Sequence, residues 1–185
     1  MSLVVKDLAI KDIKLVYPKK SGDDRGFFSE VYSRRSLREA GIEIDFVQDN
    51  HSYSAEKGIL RGLHFQLPPT AQTKLVRVIR GRIWDVAVDI RAGSETYGKW
   101  VGAELSVKNW AQILVPQGFA HGFVTLEPHT EVLYKVDAFY DPDTDAGLMW
   151  NDPNLAIDWP IETTPQLSAK DAALPGFADW VSPFS

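Results

Sequence analysis

The chain has no cysteine among its 185 residues. Disulfides, thiolate metal sites and thiol nucleophiles are thereby excluded, and any chemistry falls to other side chains. It also lacks a long apolar run: no stretch reaches the roughly eighteen residues needed to span a membrane. The opening MSLVVKDLAIKDIKL carries charges at Lys6, Asp7, Lys11 and Asp12 and does not read as a signal peptide, so a soluble cytoplasmic protein is expected. A basic tract is missing as well. The 20 Lys and Arg are scattered and the net charge is −5, which argues against a nucleic-acid partner. No repeat, low-complexity tract or linker divides the sequence, so residues 1–185 are expected to form one domain.

What is present is mostly β. Residues 10–16, 26–32, 46–51, 74–79, 82–90, 100–105, 112–115, 121–126 and 131–136 read as strands. Only Ser33 to Ala40, ended by Gly41, and Ser168 to Ala173 look helical. Many short strands parted by Gly, Pro and Asn turns predict a sandwich or barrel. Six Trp, six Tyr and nine Phe offer stacking surfaces for a planar ligand as well as core. The alternating segments 74–79 and 82–90 flank Arg80-Gly81, which predicts a two-residue hairpin. In that register Val78 faces Ile83, Val76 faces Asp85 and Lys74 faces Ala87, so Lys74 and Asp85 lie diagonally adjacent on one face. Two charges among Val76, Val78 and Ile83 form either an ion pair at a sheet rim or the lining of a polar pocket.

Four constellations could carry chemistry. Arg61-Gly62-Leu63-His64-Phe65-Gln66 places His64 and Gln66 on one face of an extended segment and Phe65 on the other. Pro116-Gln117-Gly118-Phe119-Ala120-His121 has a Pro-x-Gly-x-x-His spacing that resembles the second motif of the cupin superfamily, whose fold is a jelly roll. Metal-binding cupins carry His-x-His and a later Glu in the first motif. Here that motif reads His64-Phe65-Gln66 with Lys74 downstream, and two His and a Gln beside an ammonium make a poor metal site, so no metal is expected. Tyr134 shares a strand face with Val132 and Val136 and should point inward, as a core residue or a pocket one. Ser168-x-x-Asp171 fits a capping box at a helix start, which leaves Asp171 open to a second role.

Several further runs carry a resemblance: Gly22 to Phe28, Phe46 to Ser52, Arg61 to Gln66, Trp84 to Arg91, Pro116 to Thr125, Met149 to Asp152 and Leu167 to Ala172. In order and spacing, from about residue 5 to residue 175, they resemble the dTDP-4-dehydrorhamnose 3,5-epimerase family. The resemblance implies a cupin-like double-stranded β-helix with a few short helices, acting on a dTDP-sugar without a cofactor. It implies that His64 is the general base and Asp171 its orienting partner, with Tyr134 returning a proton to the opposite face of the sugar. Lys74 would hold the enolate oxygen. Arg25, Glu30, Gln48, Asp49, Asn50, Arg61, His121 and Lys170 would bind sugar and diphosphate. Tyr140 would stack on the thymine with Phe27 near the substrate, and Asp145 stands where the family has Glu in a nucleotide contact. The family is dimeric, so a homodimer is implied in which Arg25, Phe27 and Glu30 act in the partner's site.

The chemistry suits these residue types. A 4-keto group acidifies the C–H bonds at C3 and C5, and removal of either proton gives an enolate. Reprotonation from the other face inverts the centre, which requires a base and an acid on opposite sides. A His near neutrality suits the first task. A carboxylate fixes its tautomer and stabilises the imidazolium, and a buried ammonium stabilises charge on the enolate oxygen. In the predicted hairpin Asp85 would orient that ammonium. Competing readings are an epimerase acting at C3 or C5 alone, a 3,4-ketoisomerase of dTDP-sugars, and a non-catalytic sugar-nucleotide-binding cupin.

Overall fold

The structure, a computed structural model, describes residues 3–185. The chain opens with β1 (Val4–Asp7) and β2 (Lys14–Tyr17), then the β3 (Lys20–Asp23) and β4 (Gly26–Ser29) hairpin, then α1 (Arg34–Glu39). There follow β5 (Gln48–Ser54), β6 (Leu60–Gln66), β7 (Lys74–Arg80), β8 (Arg82–Asp89) and β9 (Trp100–Ser106). Next come β10 (Gln112–Val115), β11 (Phe119–Thr125), β12 (Thr130–Val136) and β13 (Asp145–Gly147). The remainder is irregular apart from short 3-10 turns at Asp171–Ala173 and Phe177–Asp179.

Two antiparallel sheets face each other. One has the order β1-β2-β10-β7-β12-β5 and the other β13-β6-β11-β8-β9, so neighbours in space are mostly not neighbours in sequence. This is the jelly roll that the resemblance implies, within the sandwich-or-barrel class the strand pattern predicts. Between the sheets Val76, Val78, Ile113 and Val132 of the first pack on Ile83, Ala87, Leu105 and Phe123 of the second. The five-stranded sheet is buried on its outer face too. Leu60, Leu63, Phe65, Val86, Val88 and Val124 are covered there by Leu148, Leu155, Trp159 and the C-terminal segment. That double burial is why β11 is buried along its whole length instead of alternating. Each fully buried Leu or Ile contributes about 2 kcal/mol of transfer free energy.

Helix α1 covers the outer face of the six-stranded sheet, seating Leu37 on Val16, Leu75 and Leu114. Its ends match the sequence reading. The Ser33 hydroxyl accepts from the Ser36 amide at 3.3 Å, and Gly41 at φ +80 ends the helix.

The predicted hairpin of residues 74–90 does not form. β7 pairs with β10 and β12, whereas β8 pairs with β11 and β9. The Arg80-Gly81 step is therefore a corner between the sheets. Gly81 sits at φ +81, and a Cβ there would approach Thr130 Oγ1 to 2.3 Å. Alternation is the same for strands paired side by side and for strands that face across a core, so the pattern could not separate the two. Lys74 and Asp85 do share a space, but across the barrel interior rather than along one sheet.

Candidate active site

The β6 strand alternates as its sequence requires. Phe65 points out of the barrel and packs edge-on against Trp180, with ring centroids 4.9 Å apart. His64 points in. Its Nε2 donates to Asp171 Oδ1 at 2.5 Å. Asp171 reaches it because the Ser168 hydroxyl accepts the Asp171 amide at 3.0 Å, starting the 3-10 turn. Ser168 thus performs its capping half of the predicted box, while the Asp171 carboxylate goes to His64 instead of back to the turn. Asp171 is 4% exposed and His64 about a third, so the carboxylate is shielded while the imidazole meets the cavity. With Nε2 engaged, Nδ1 is the nitrogen left to take a proton. Burial pushes the His64 pKa below its ordinary value, aided by Lys74 and Lys170, and Asp171 only partly restores it. The ring is therefore held neutral, as a base requires.

Lys74 lies at the start of β7 and is 8% exposed. Its ammonium donates to the His64 carbonyl at 3.1 Å. Burial drops its pKa to about 8 against the attraction of Asp85 and Asp145. Asp85 is not bonded to Lys74 as the hairpin register suggested. Both its oxygens lie 2.9 Å from His121 Nε2, forming a buried pair beside the lysine. His121 is next to His64 across the β6–β11 ladder, 7% exposed and turned inward. Its ring is thus committed to Asp85 rather than presented to a diphosphate.

Tyr134 comes from the facing sheet, on β12. Burial raises its pKa, the positive charge of Arg61 opposes that, and Asp145 adds to it, so the phenol keeps its proton. The Arg61 guanidinium itself donates to the Tyr53 carbonyl at 3.1 Å.

Together His64, Lys74 and Tyr134 line a cavity of about 250 Å³ with Gln48, Asn50, Gln72, Tyr140, Asp145 and Lys170. At its mouth the Tyr140 hydroxyl donates to Asp145 Oδ2 at 2.9 Å and Lys170 forms an ion pair with the same oxygen. The bond to Asp145 raises the Tyr140 pKa, and the charge of Lys170 opposes it. Asp145 is thus a tie between two side chains expected to hold nucleotide. Gln72 escaped the sequence reading, although it lies two residues before Lys74 and shares its face in an extended chain.

Besides Arg61 and His121, which do not line the cavity, four expected ligands lie elsewhere. Strand alternation turns Asp49 away from Gln48 and Asn50, and it pairs with Lys135 at 2.7 Å. Arg25, Phe27 and Glu30 belong to the β3–β4 hairpin region, outside the cavity of their own chain. Arg25 has a side chain 90% exposed and pairs with Asp23 at 2.5 Å. Phe27 meets Trp110 edge-on at 5.0 Å, and Glu30 accepts from the Ser36 hydroxyl at 3.2 Å. Among the described residues no three His, Cys, Asp or Glu converge as a metal site would need. The donor set around His64 is an amide and an ammonium, which does not suit a divalent cation.

Facing jelly-roll sheets that enclose a neutral imidazole, a buried ammonium and a protonated phenol define an acid–base isomerase of the cupin type. The sequence model for dTDP-4-dehydrorhamnose 3,5-epimerase matches residues 7–179. The chain belongs to the dTDP-4-dehydrorhamnose 3,5-epimerase family. A family protein from Sinorhizobium fredii is 53% identical over 174 residues, covering 94% of this chain and 89% of that one. The crystal structure of the Bacillus anthracis epimerase with TDP and PPi bound superposes with a TM-score of 0.92 at 54% identity, covering 95% of this chain and 99% of that chain. A Legionella pneumophila epimerase in complex with dTDP-4-keto-L-rhamnose gives 0.90 at 46% identity, covering 94% and 92%.

Proposed function

We propose that this chain inverts C3 and C5 of dTDP-4-dehydro-6-deoxy-D-glucose to give dTDP-4-dehydro-L-rhamnose, as one epimerase domain over residues 1–185. The observation that carries the reading is that His64 and Tyr134 project into one cavity from facing sheets. A sugar ring between them has a base on one side and an acid on the other. His64 Nδ1 removes the proton from C3 or C5, and Asp171 stabilises the imidazolium that results. Lys74, still largely protonated at neutral pH with a pKa of about 8, offsets the negative charge that develops on O4. Tyr134 then delivers a proton to the opposite face. Each cycle leaves the bonds of the sugar unchanged apart from the inverted C–H, so no redox partner is required.

The dTDP moiety is assigned to the mouth, with Tyr140 against the base and Lys170 and Arg61 at the diphosphate. His121 and Asp85 act from below as a hydrogen-bonded pair beside Lys74. The protein is proposed to be a cytoplasmic homodimer in which Arg25, Phe27 and Glu30 complete the partner's site. Their exposure on a projecting hairpin supports that arrangement.

Proton NMR of the substrate incubated with metal-free protein in deuterated water tests the reading. Loss of both the C3 and C5 proton signals, abolished by His64→Ala, is expected. Exchange at one carbon only would replace it with a single-site epimerase. Binding without exchange at either carbon would refute the enolate mechanism.

A further inference from the structure

Gln66 occupies the place where a metal-binding cupin has its second histidine, and the chemistry above gives it no task. It is nevertheless 3% exposed and uses its whole amide. Its Nε2 donates to the Thr70 carbonyl at 2.6 Å and the Phe139 carbonyl at 3.2 Å, and its Oε1 accepts from the Asp141 amide at 2.8 Å. Two other glutamines grip the same segment. Gln72 Nε2 donates to the Ala138 carbonyl at 2.8 Å, and Gln48 Oε1 accepts from the Tyr140 amide at 3.1 Å. Four consecutive residues, 138 to 141, are thus each held through the backbone by a glutamine side chain. Gln48 belongs to one sheet and Gln66 to the other, so the loop is pinned to both walls of the barrel.

The aromatic side chains this loop carries are exposed. Phe139 is 68% exposed, and Tyr140, at the rim of the cavity, is 56% exposed. An exposed aromatic on a loop without regular structure would ordinarily lose orientation entropy on binding a flat ligand. Here the backbone is fixed from below, and Asp145 fixes the Tyr140 hydroxyl at the far end. A glutamine is the side chain able to do this. It both donates and accepts, whereas Glu offers only acceptors and an imidazole cannot satisfy three backbone groups at once.

We infer that Gln48, Gln66 and Gln72 are positioning residues that preorganise Tyr140 as the platform for the nucleobase, so that the position released from metal binding serves nucleotide recognition. This rests on the assignment of the nucleotide to the cavity mouth. The clamp acts on the base and not on the diphosphate, which separates it from a general role in stability.

Calorimetric titration with dTDP and, separately, with inorganic pyrophosphate tests it on the full-length protein. Tyr140→Ala is expected to weaken dTDP by about tenfold, or about 1.4 kcal/mol, within the range for loss of a stacked base. Gln66→Leu should weaken dTDP by a similar factor while pyrophosphate affinity holds within about twofold. In the double variant the two losses should not add, because both remove one platform. Should Gln66→Leu fail to fold, Gln72→Leu gives up a single loop bond and is expected to lose about threefold for dTDP alone. Equal losses for dTDP and pyrophosphate, or additive losses in the double variant, would overturn the clamp. An unchanged dTDP affinity in Tyr140→Ala would overturn the nucleotide assignment itself, and the clamp with it.

Discussion

Lys74→Met exchanges a buried ammonium for an uncharged side chain of similar length, and the two consequences have opposite signs. Burial lowers the lysine pKa from its ordinary 10.5 to about 8, even with Asp85 and Asp145 nearby. At neutral pH the lysine is protonated in both folded and unfolded chains, so that difference costs the folded state about 3 kcal/mol. The substitution removes that net cost, in which the attraction of Asp85 is already included, but also the bond to the His64 carbonyl, leaving a net gain of about 1–3 kcal/mol. For a chain of this size that raises Tm by about 3–9 °C. The cost belongs to the protonated folded state. It fades as pH rises from about 8 to 10.5, where the folded protein has already lost the proton and the unfolded chain has not. Urea unfolding at neutral pH should therefore show the variant more stable than the parent, with the gap closing by about pH 10.5. Turnover should fall by about 10²–10³, the usual loss of an oxyanion stabiliser. A variant less stable than the parent at neutral pH, or a gap that does not close in alkali, would refute the account of Lys74 as a strained functional charge.

Other substitutions probe the rest of the site and its support. Asp171→Asn removes the group that lifts the His64 pKa against burial, so that pKa should fall further and the acid limb of kcat/KM should move to lower pH. The maximum should drop by about 10⁴, as read from a pH–rate profile and imidazole NMR. Tyr134→Phe should reduce inversion by about 10²–10⁴ while deuterium exchange with retained configuration persists, which NMR of the recovered sugar distinguishes. Far from the cavity, burial works against the Asp89 carboxylate, yet bonds from Arg91, Ser94 and Thr96 bring its pKa to about 2. That contributes about 2 kcal/mol above the ordinary 3.8, lost as pH falls from 3.8 towards 2. Asp89→Asn should be destabilised at neutral pH and converge on the parent in acid unfolding.

The central strands and α1 were legible because their signals are local. Period-two alternation marks β7, β8 and β12, and Ser33 with Gly41 brackets the helix. Strands without that signal were harder to read. β3 and β13 carry few apolar residues, and β1 is too short to show a period. The site residues His64, Lys74 and Tyr134 could be named from motifs. The Gln48-Asp49-Asn50 run could not be divided until the strand face was known, and only then did Asp49 fall on the side of Lys135.

Composition and periodicity by themselves determined an all-β sandwich or barrel with Tyr134 inward and His64 sharing a strand face with Gln66, and the motifs determined its family. Pairing between strands distant in sequence lay beyond them, because a strand's alternation records which face is buried and not which neighbour buries it. Tertiary structure alone decided that β7 and β8 part into opposite sheets, so that Lys74 and Asp85 share the barrel interior from facing sheets. It also joined Asp171 to His64 over 107 residues and gathered three glutamines on one loop. Those contacts join elements far apart in sequence that only barrel closure brings together, and closure is a property of the whole chain.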